Sequence, residues 1–472
     1  MDRSDASWTA GASYSRSMLS SLAAAVEAPD EICVISGHGG VAQLPHGVRE
    51  VRTDGAASSI PAQIRRIIAD EKIDVVLPVT EVLLPDTKAA LVGWIPDFQH
   101  RHLPQYFTEL QRAQRDRYFD YLVRNCDAMM FSSRAALEDF RSLFPDFSGP
   151  ATCAPFASSF ASDDSVIQDD PRAVLDKYKL PAGFVLVANQ FWKHKNHQQV
   201  VEAVALARSR NPQVRVVMVG MLSDSRDPGN SHLSAMVRRG CVDGLFDNIT
   251  VLGEVPRADL VSLIRCAIEV IQPSEFEGWN TTVQDALALG KHVACSDIPT
   301  HREQAPGGFF FPLHDADALA THFAGLDWSQ GGWGGEDAER KALDAERERG
   351  LVWAKDLIQF AKEVREHHSK NAPERAAWND PIEEIKSNPL TYIEYLEAQV
   401  ERLNKVQERH EKRIAEQTER TQSDRAKHVA EIGKLRSQVA DAKRDVERER
   451  AKPLRVRLTD EAARIFGRGK KS

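Results

Sequence analysis

Gln272-Pro-Ser-Glu-Phe-Glu-Gly-Trp-Asn-Thr-Thr-Val-Gln-Asp285 is the stretch on which the reading of this chain turns. An apolar run, Ala267 to Ile271, leads into it and predicts a buried strand that Pro273 ends. Gly278 permits a tight turn, and Asn280 or Thr281 can cap a helix running from about Thr282 to Gly290. A strand, a Gly-containing loop and a capped helix make an anion site, because the free N–H groups of the first helical turn point at the loop. Glu277 in the loop and Asp285, eight residues later and expected on the first helical turn, frame that site with two carboxylates. An isolated pair of this kind is usually a surface pair; the surrounding loop sets this one apart.

Working outward, the 472 residues are too many for one domain and suit two or three. Hydrophobic content of 42% can fill real cores, and a net charge of -8 argues against a nucleic-acid partner. Six cysteines (33, 126, 153, 241, 266, 295) are scattered without a CxxC pair, and several sit in apolar runs. That usage fits a reducing, cytoplasmic compartment. No apolar run approaches the length of a membrane span, and Met-Asp-Arg-Ser-Asp-Ala-Ser at the N-terminus is no secretory signal.

Residues 1–160 alternate helical and strand patterns. Helices are expected at Tyr14–Val26, Ile60–Glu71 and Tyr106–Asn125, and strands at Glu31–Ser36, Asp74–Pro78, Leu91–Pro96 and Ala128–Ser132. The polar stretch Ser158–Asp170 reads as an interdomain linker. A second unit over 171–345 repeats the alternation. Its strands are Phe184–Ala188, Val214–Gly220, Ile249–Leu252, the anchor strand and His292–Cys295, and its helices include Gln198–Arg208, Ser231–Arg239 and Ala258–Cys266. Both units predict an α/β fold with a parallel, doubly wound sheet, whose ligands sit outside the carboxyl ends of the strands. Trp328–Gly335 reads as a loop, Leu351–His367 as an amphipathic helix and 371–390 as a linker. From Thr391, apolar residues recur at steps of three or four (Ile393, Leu396, Val400, Leu403; Ile432, Leu435, Val439, Ala442, Val446), so 391–450 reads as a coiled coil that makes a homo-oligomer. A single solvated helix is the alternative. The tail 451–472 has seven basic and two acidic residues with Leu454, Val456, Leu458, Ile465 and Phe466 interleaved. An anionic membrane surface is its candidate partner, against the plainer reading of a solvated basic tail.

The anchor stretch resembles the signature of the group-1 (family 4) retaining glycosyltransferases: Pro-Ser-x-x-Glu-Gly-Trp, an acid eight residues after the Glu, then Ala-Leu-Gly-Lys-His-Val-Ala-Cys-Ser-Asp-Ile-Pro. The resemblance covers about residues 8–367 and is strongest over 184–304. It implies the GT-B architecture, two Rossmann-like domains facing a cleft, with a crossover helix at 346–370 returning to the first domain. It implies that Glu277 touches the transferred sugar, that Gly278, Trp279, Asn280, Thr281, Thr282 and Val283 present backbone N–H groups to a diphosphate, and that Asp285 holds the ribose. The family usually has Glu where Asp285 stands. The loop after the first strand of the second unit, Ala188-Asn-Gln-Phe-Trp-Lys-His-Lys-Asn196, resembles the family's phosphate loop. Lys195 matches its lysine, Gln190 replaces its arginine, and Lys193 is the nearest substitute. Gly253 and Val255 occupy the turn beside the nucleobase. Pro96-Asp-Phe-Gln-His-Arg-His-Leu-Pro104 resembles the family's Asp-x-x-His loop, so His100 is expected at the sugar with Asp97 orienting it. A metal on His100 and His102 is the weaker alternative, since no third ligand is evident. Gly11 resembles the glycine of the loop that follows the family's first strand. Only seven residues precede the Gly11 segment Trp8–Ser13, so the strand is absent or lies upstream of Met1.

Carried to function, the resemblance implies a metal-independent, retaining hexosyltransferase. The nucleoside diphosphate sugar is a co-substrate rather than a cofactor, and the acceptor is a glycan or lipid-linked hydroxyl in cell-surface polysaccharide synthesis. The expected location is the cytoplasm, with peripheral contact at the inner face of the membrane. The competing reading is an inactive transferase body used as a scaffold and oligomerised by its coil.

Overall fold

A computed structural model of the chain describes residues 9–37, 44–53, 60–79, 87–155, 157–222, 224 and 231–371. The chain divides into two units, Met1–Trp378 and Asn379–Ser472. The coiled coil expected over 391–450, the tail 451–472 and all of the linker 371–390 beyond Asn371 lie outside the described residues.

The first half runs α1 (Thr9–Ala25), β1 (Ile32–Ser36), β2 (Val48–Arg52), α2 (Ile60–Asp70), β3 (Val75–Val79), β4 (Ala90–Ile95), α3 (Gln99–His102), α4 (Glu109–Asn125), β5 (Ala128–Phe131), α5 (Arg134–Leu143) and β6 (Ala151–Cys153). β1 and β2 pair in parallel, and β3-β4-β5-β6 form a four-stranded parallel sheet. Strand alternation sends Leu91, Ile95, Met129 and Phe131 to one face, against Phe98, Phe119 and Phe140. It sends Ala90, Val92, Trp94 and Met130 to the other, against Met18 and Leu22 of α1. Local signals set the helix starts. Thr108 and Gln111 form a capping box on α4, and Ser133 caps α5. α4 therefore begins at Glu109 rather than at Tyr106, which belongs to a separate short 3₁₀ turn.

The second half runs α6 (Ala173–Tyr178), β7 (Val185–Ala188), α7 (His197–Ala207), β8 (Val216–Val219), α8 (Ser231–Asp243), β9 (Ile249–Gly253), α9 (Arg257–Cys266), β10 (Glu269–Gln272), α10 (Thr281–Ala288), β11 (His292–Ser296), α11 (Pro299–Gln304), β12 (Phe309–Phe311), α12 (Ala316–Gly325) and α13 (Glu336–Asn371). The strands form a six-stranded sheet ordered β12-β11-β10-β7-β8-β9, and all its pairings are parallel. β7, β8 and β10 are buried on both faces, as apolar runs in a parallel sheet should be. The sheet order reverses at β7 and β10, so the loops after these two strands flank the topological switch point.

Two expectations are corrected here. The stretch 158–170 is not a free linker: it folds into two 3₁₀ turns, Ser159–Ser162 and Asp164–Ile167, and buries Phe160 and Ile167 in the core of the second half. The helix expected at Leu351–His367 is α13, which starts fifteen residues earlier at Glu336. Leu343 of α13 packs into the core of the second half, whereas Trp353, Ala354, Leu357, Phe360 and Val364 pack into that of the first. One rigid helix is thereby shared by both cores.

Arg265 fastens this arrangement. It is 2% exposed, and its guanidinium makes two 2.9 Å bonds to Glu339 of α13 and one of 2.7 Å to the Asp169 carbonyl. Removing one partner of a buried pair strands the other charge away from water. Arg265→Ala should lower stability in urea unfolding by about 3–5 kcal/mol. A loss below about 1 kcal/mol would mean that water reaches the carboxylate and that the pair is not a fastening.

Candidate active site at the ends of β7 and β10

Pro273 stops β10, and the chain then crosses the loop 273–280 into α10. Asn280 is the N-cap: its Oδ1 accepts from Val283 N at 3.0 Å. Its Nδ2 donates to Glu277 Oε1 at 2.9 Å, so the cap also orients the loop acid. Gln272 at the end of β10 donates to Asn280 Oδ1 and exchanges amide bonds of 2.6 and 3.2 Å with Asn189 at the end of β7. Three buried amides thus tie the two switch-point strands to the start of α10.

The loop is braced from behind. Ser296 Oγ donates to the Ser274 carbonyl at 2.5 Å, Thr300 Oγ1 to the Glu277 carbonyl at 2.8 Å, and Gln304 Nε2 to the Asn280 carbonyl at 2.7 Å. Lys195 approaches from the β7 side. It leaves a short 3₁₀ turn, and its Nζ lies 2.6 Å from Glu277 Oε1, with both side chains largely buried. Thr282 Oγ1 donates to the Ala188 carbonyl at 2.9 Å, which seats α10 against β7. Glu277, Lys195 and the first turn of α10 therefore come together as expected from the sequence. Thr281 is half-buried and Val283 fully buried, with the Val283 N–H already committed to the Asn280 cap.

Asp285 is the fifth residue of α10, which starts at Thr281, so it stands just beyond the first turn where it was expected. Its Oδ1 accepts from Ser158 Oγ at 2.5 Å. Burial raises its pKa to about 6, while the Ser158 bond and the charge of Arg257 pull it down. Arg257 donates to Ser159 Oγ at 2.9 Å and lies over the Phe160 ring. Gly253 has φ +70, and its carbonyl accepts from Gly220 N at 2.9 Å; open space surrounds its Cα. Val255 packs against the core. Gln190 is half-buried, and its carbonyl accepts from Trp192 N at 2.7 Å. Lys193 is exposed, with its backbone N–H on Asp224 and its Nζ 5.4 Å from the centre of the Tyr106 ring.

The first half contributes along the loop after β4. A Cβ on Gly278 would stand 2.7 Å from the Pro96 carbonyl and 2.9 Å from Asp97 Cβ, so only glycine lets the two loops meet. Asp97 Oδ1 accepts from Gln99 N at 2.8 Å, just ahead of α3. Trp279 packs against the aromatic face that includes Trp94 and Trp353. His100 departs from expectation. Its ring is 1% exposed, packs edge-on to Phe119 and donates from Nε2 to Asp116 Oδ1 at 2.9 Å. Burial lowers its pKa. Amphipathic side chains follow the helix face, and α3 turns His100 inward. His102 is the histidine that reaches the Glu277 loop, with its ring 5.0 Å from Phe276 and its Nε2 2.7 Å from Asp139, whose carboxylate raises its pKa. The two rings have separate acidic partners and do not form a pair. Gly11 also departs: it lies within α1, not in a loop after a strand.

The sequence reading passed over Ser158, Arg257, Thr300, Gln304, Tyr106 and Glu275. Tyr106 Oη donates to Glu275 Oε2 at 2.8 Å, joining the halves beside the acid loop, as Glu303 does by accepting from Arg134 N at the start of α5. No local pattern marks these residues, because each is recruited from another element. A cavity of about 730 Å³ lies between the halves, lined by Trp279, Glu303, Arg349 and Trp353 among others. Lys195, Glu277 and Asp285 do not line it, so it is not the acid-pair site.

An acid whose native pKa lies above its ordinary value holds its proton more tightly folded than unfolded. Its contribution to stability therefore falls as pH rises from about 4 through about 6 and stays lowered above that. Asp285→Asn removes the buried charge and should raise Tm near neutral pH by about 2–4 °C. The gain should shrink as pH falls below about 6 and vanish at about pH 3, where the wild-type acid is protonated in both states. Equal Tm values for the two proteins across the whole range would mean that Asp285 is fully solvated.

Comparison with known proteins gives a family match, a relative and several likenesses of fold. Residues 176–326 match the family described as "Glycosyl transferases group 1". The O-antigen chain mannosyltransferase B of Escherichia coli is 30% identical over 155 residues, which are 32% of this chain and 38% of that protein. The match thus spans about two fifths of the length of the curated relative. Among solved structures, the sucrose-phosphate synthase of Thermosynechococcus elongatus superposes with a TM-score of 0.54 at 17% identity, covering 74% of this chain and 92% of the other. The α,α-trehalose-phosphate synthase (UDP-forming) of Burkholderia xenovorans gives 0.50 at 12% identity, covering 64% and 77%. At such identities the likeness is one of fold, and that fold is GT-B. The acid loop and Lys195 both lie inside the matched region, so residues 176–326, which carry them, are similar to the group 1 glycosyl transferases.

Proposed function

We propose that this chain is a retaining glycosyltransferase that moves a hexose from a nucleoside diphosphate sugar to a hydroxyl of a glycan or lipid-linked acceptor. The observation that carries the reading is the meeting of Glu277, Lys195 and the first turn of α10 at the ends of β7 and β10. As the glycosidic bond breaks, negative charge grows on the leaving diphosphate. The Lys195 ammonium and the α10 amides are fixed donors aimed at that charge, and their field needs no reorganisation during the step. The Lys195–Glu277 contact stands in for the substrate: the ammonium turns to the diphosphate and the carboxylate to the sugar hydroxyls. The acceptor attacks from the face that the leaving group vacates, without a metal ion. Gly253, Val255, Gln190 and Lys193 border the nucleotide, and Asp97 lies where the two loops meet, on the sugar side. His100, buried on Asp116, shapes that loop from within.

The curated relative's name nominates polysaccharide synthesis as the setting and mannose as the first sugar to test. Residues 391–450 are proposed to associate copies of the chain, and 451–472 to meet an anionic membrane on its cytoplasmic face. Among the described residues no helix is long and apolar enough to cross a membrane.

Titration calorimetry with UDP, GDP and ADP, with and without EDTA, should show one nucleotide binding in both conditions. Lys195→Ala should weaken it by about ten- to a hundredfold. Glu277→Gln should keep nucleotide binding and lose at least about 10²-fold in turnover. Binding of none of the three would favour the inactive scaffold, and unchanged turnover in Glu277→Gln would remove the acid from the chemistry.

A further inference from the structure

Asp285 presents an arm one methylene, about 1.5 Å, shorter than a glutamate would. Its setting offers a compensation. Ser158 arrives from the turn that joins the two halves, and its side chain is 3% exposed. Ser158 Oγ accepts from Phe160 N at 3.1 Å and donates to Asp285 Oδ1 at 2.5 Å. A hydroxyl has one proton. Because Phe160 N–H supplies a donor, that proton is committed to Asp285. The backbone is fixed too, since Ser158 N donates to Glu346 Oε1 at 2.5 Å and Gln284 of α10 donates to the same oxygen at 2.8 Å. Glu346 is in turn paired with Arg349. The serine, the acid and their helices are therefore locked together, and the carboxylate is held by one oxygen only among the described contacts.

Resting on the glycosyltransferase reading, we propose that Ser158 is a positioning residue for ribose recognition: it holds Asp285 Oδ1 so that Oδ2 faces the ribose hydroxyls of the donor nucleotide. The short acid then reaches the ribose because a neighbour from the joining turn sets its rotamer. The charge of Arg257, which is bonded to Ser159, opposes the burial that raises the Asp285 pKa. The recognition unit is thus shared between the second half and the turn entering it.

The test measures binding of UDP, GDP and ADP and of their 2′,3′-dideoxy counterparts. The proteins are the wild type, Ser158→Ala, Ser158→Cys, Asp285→Glu and the Ser158→Ala/Asp285→Glu double variant. In the wild type, loss of the ribose hydroxyls should weaken the preferred nucleotide by about tenfold or more. In Ser158→Ala and in Ser158→Cys, whose thiol is a poor donor, ribonucleotide and dideoxynucleotide should bind alike. The double variant should recover the discrimination, because the longer acid reaches unaided. Ser158 variants that weaken both nucleotides equally while still preferring the ribose would overturn the proposal and leave the glycosyltransferase reading intact. Failure of the wild type to bind any of the diphosphates would end both.

Discussion

The amide of Asn280 is the contact on which the site depends. One side chain caps α10 through Val283 N, accepts from Gln272 at the end of β10 and donates to Glu277. A single buried group therefore couples the helix start, the strand end and the loop carboxylate. Buried amides are costly when left unpaired and strongly orienting when all their positions are used. The Asn189–Gln272 exchange extends this constraint to β7, from which Lys195 departs. The Lys195–Glu277 contact is a consequence of that network rather than its cause.

A second constraint operates at the scale of the molecule. α13 places Leu343 in one core and Trp353 through Val364 in the other, and Arg265 clamps its first turns. The turns 159–167 are held against the same helix, through Arg347 on the Ala161 carbonyl and through Ser158 on Glu346. The segment that joins the halves is thus part of a packed layer, and this places Ser158 beside Asp285. The joint between the halves and the acid on α10 share one hydrogen-bonded wall.

Much of the fold was legible in the residues. Fully buried strands such as Val185–Ala188 and Val216–Val219 announce themselves as apolar runs, and the caps at Asn280 and Thr108 are local chemistry. α5 and β6 escaped, β6 because three residues carry no usable period. The turns at 159–167 were read as linker because their composition is polar, while the two residues that fasten them, Phe160 and Ile167, are isolated in sequence. α13 was read short because its first fifteen residues are rich in charge; Leu343 and the buried Glu339 and Glu346 anchor that part through partners far away.

The same division holds at the site. Sequence by itself determined the α/β class and the strand, turn and capped helix that run from Gln272 to Asp285. Short-range turn, cap and strand chemistry dictates these, and it is written in consecutive residues. Only the tertiary structure decided that His100 turns inward to Asp116 while His102 meets Phe276, that Gly11 sits in a helix, and that Ser158 is the partner of Asp285. Each of those outcomes depends on which face an element presents to another, and that is settled by packing between residues distant in the chain.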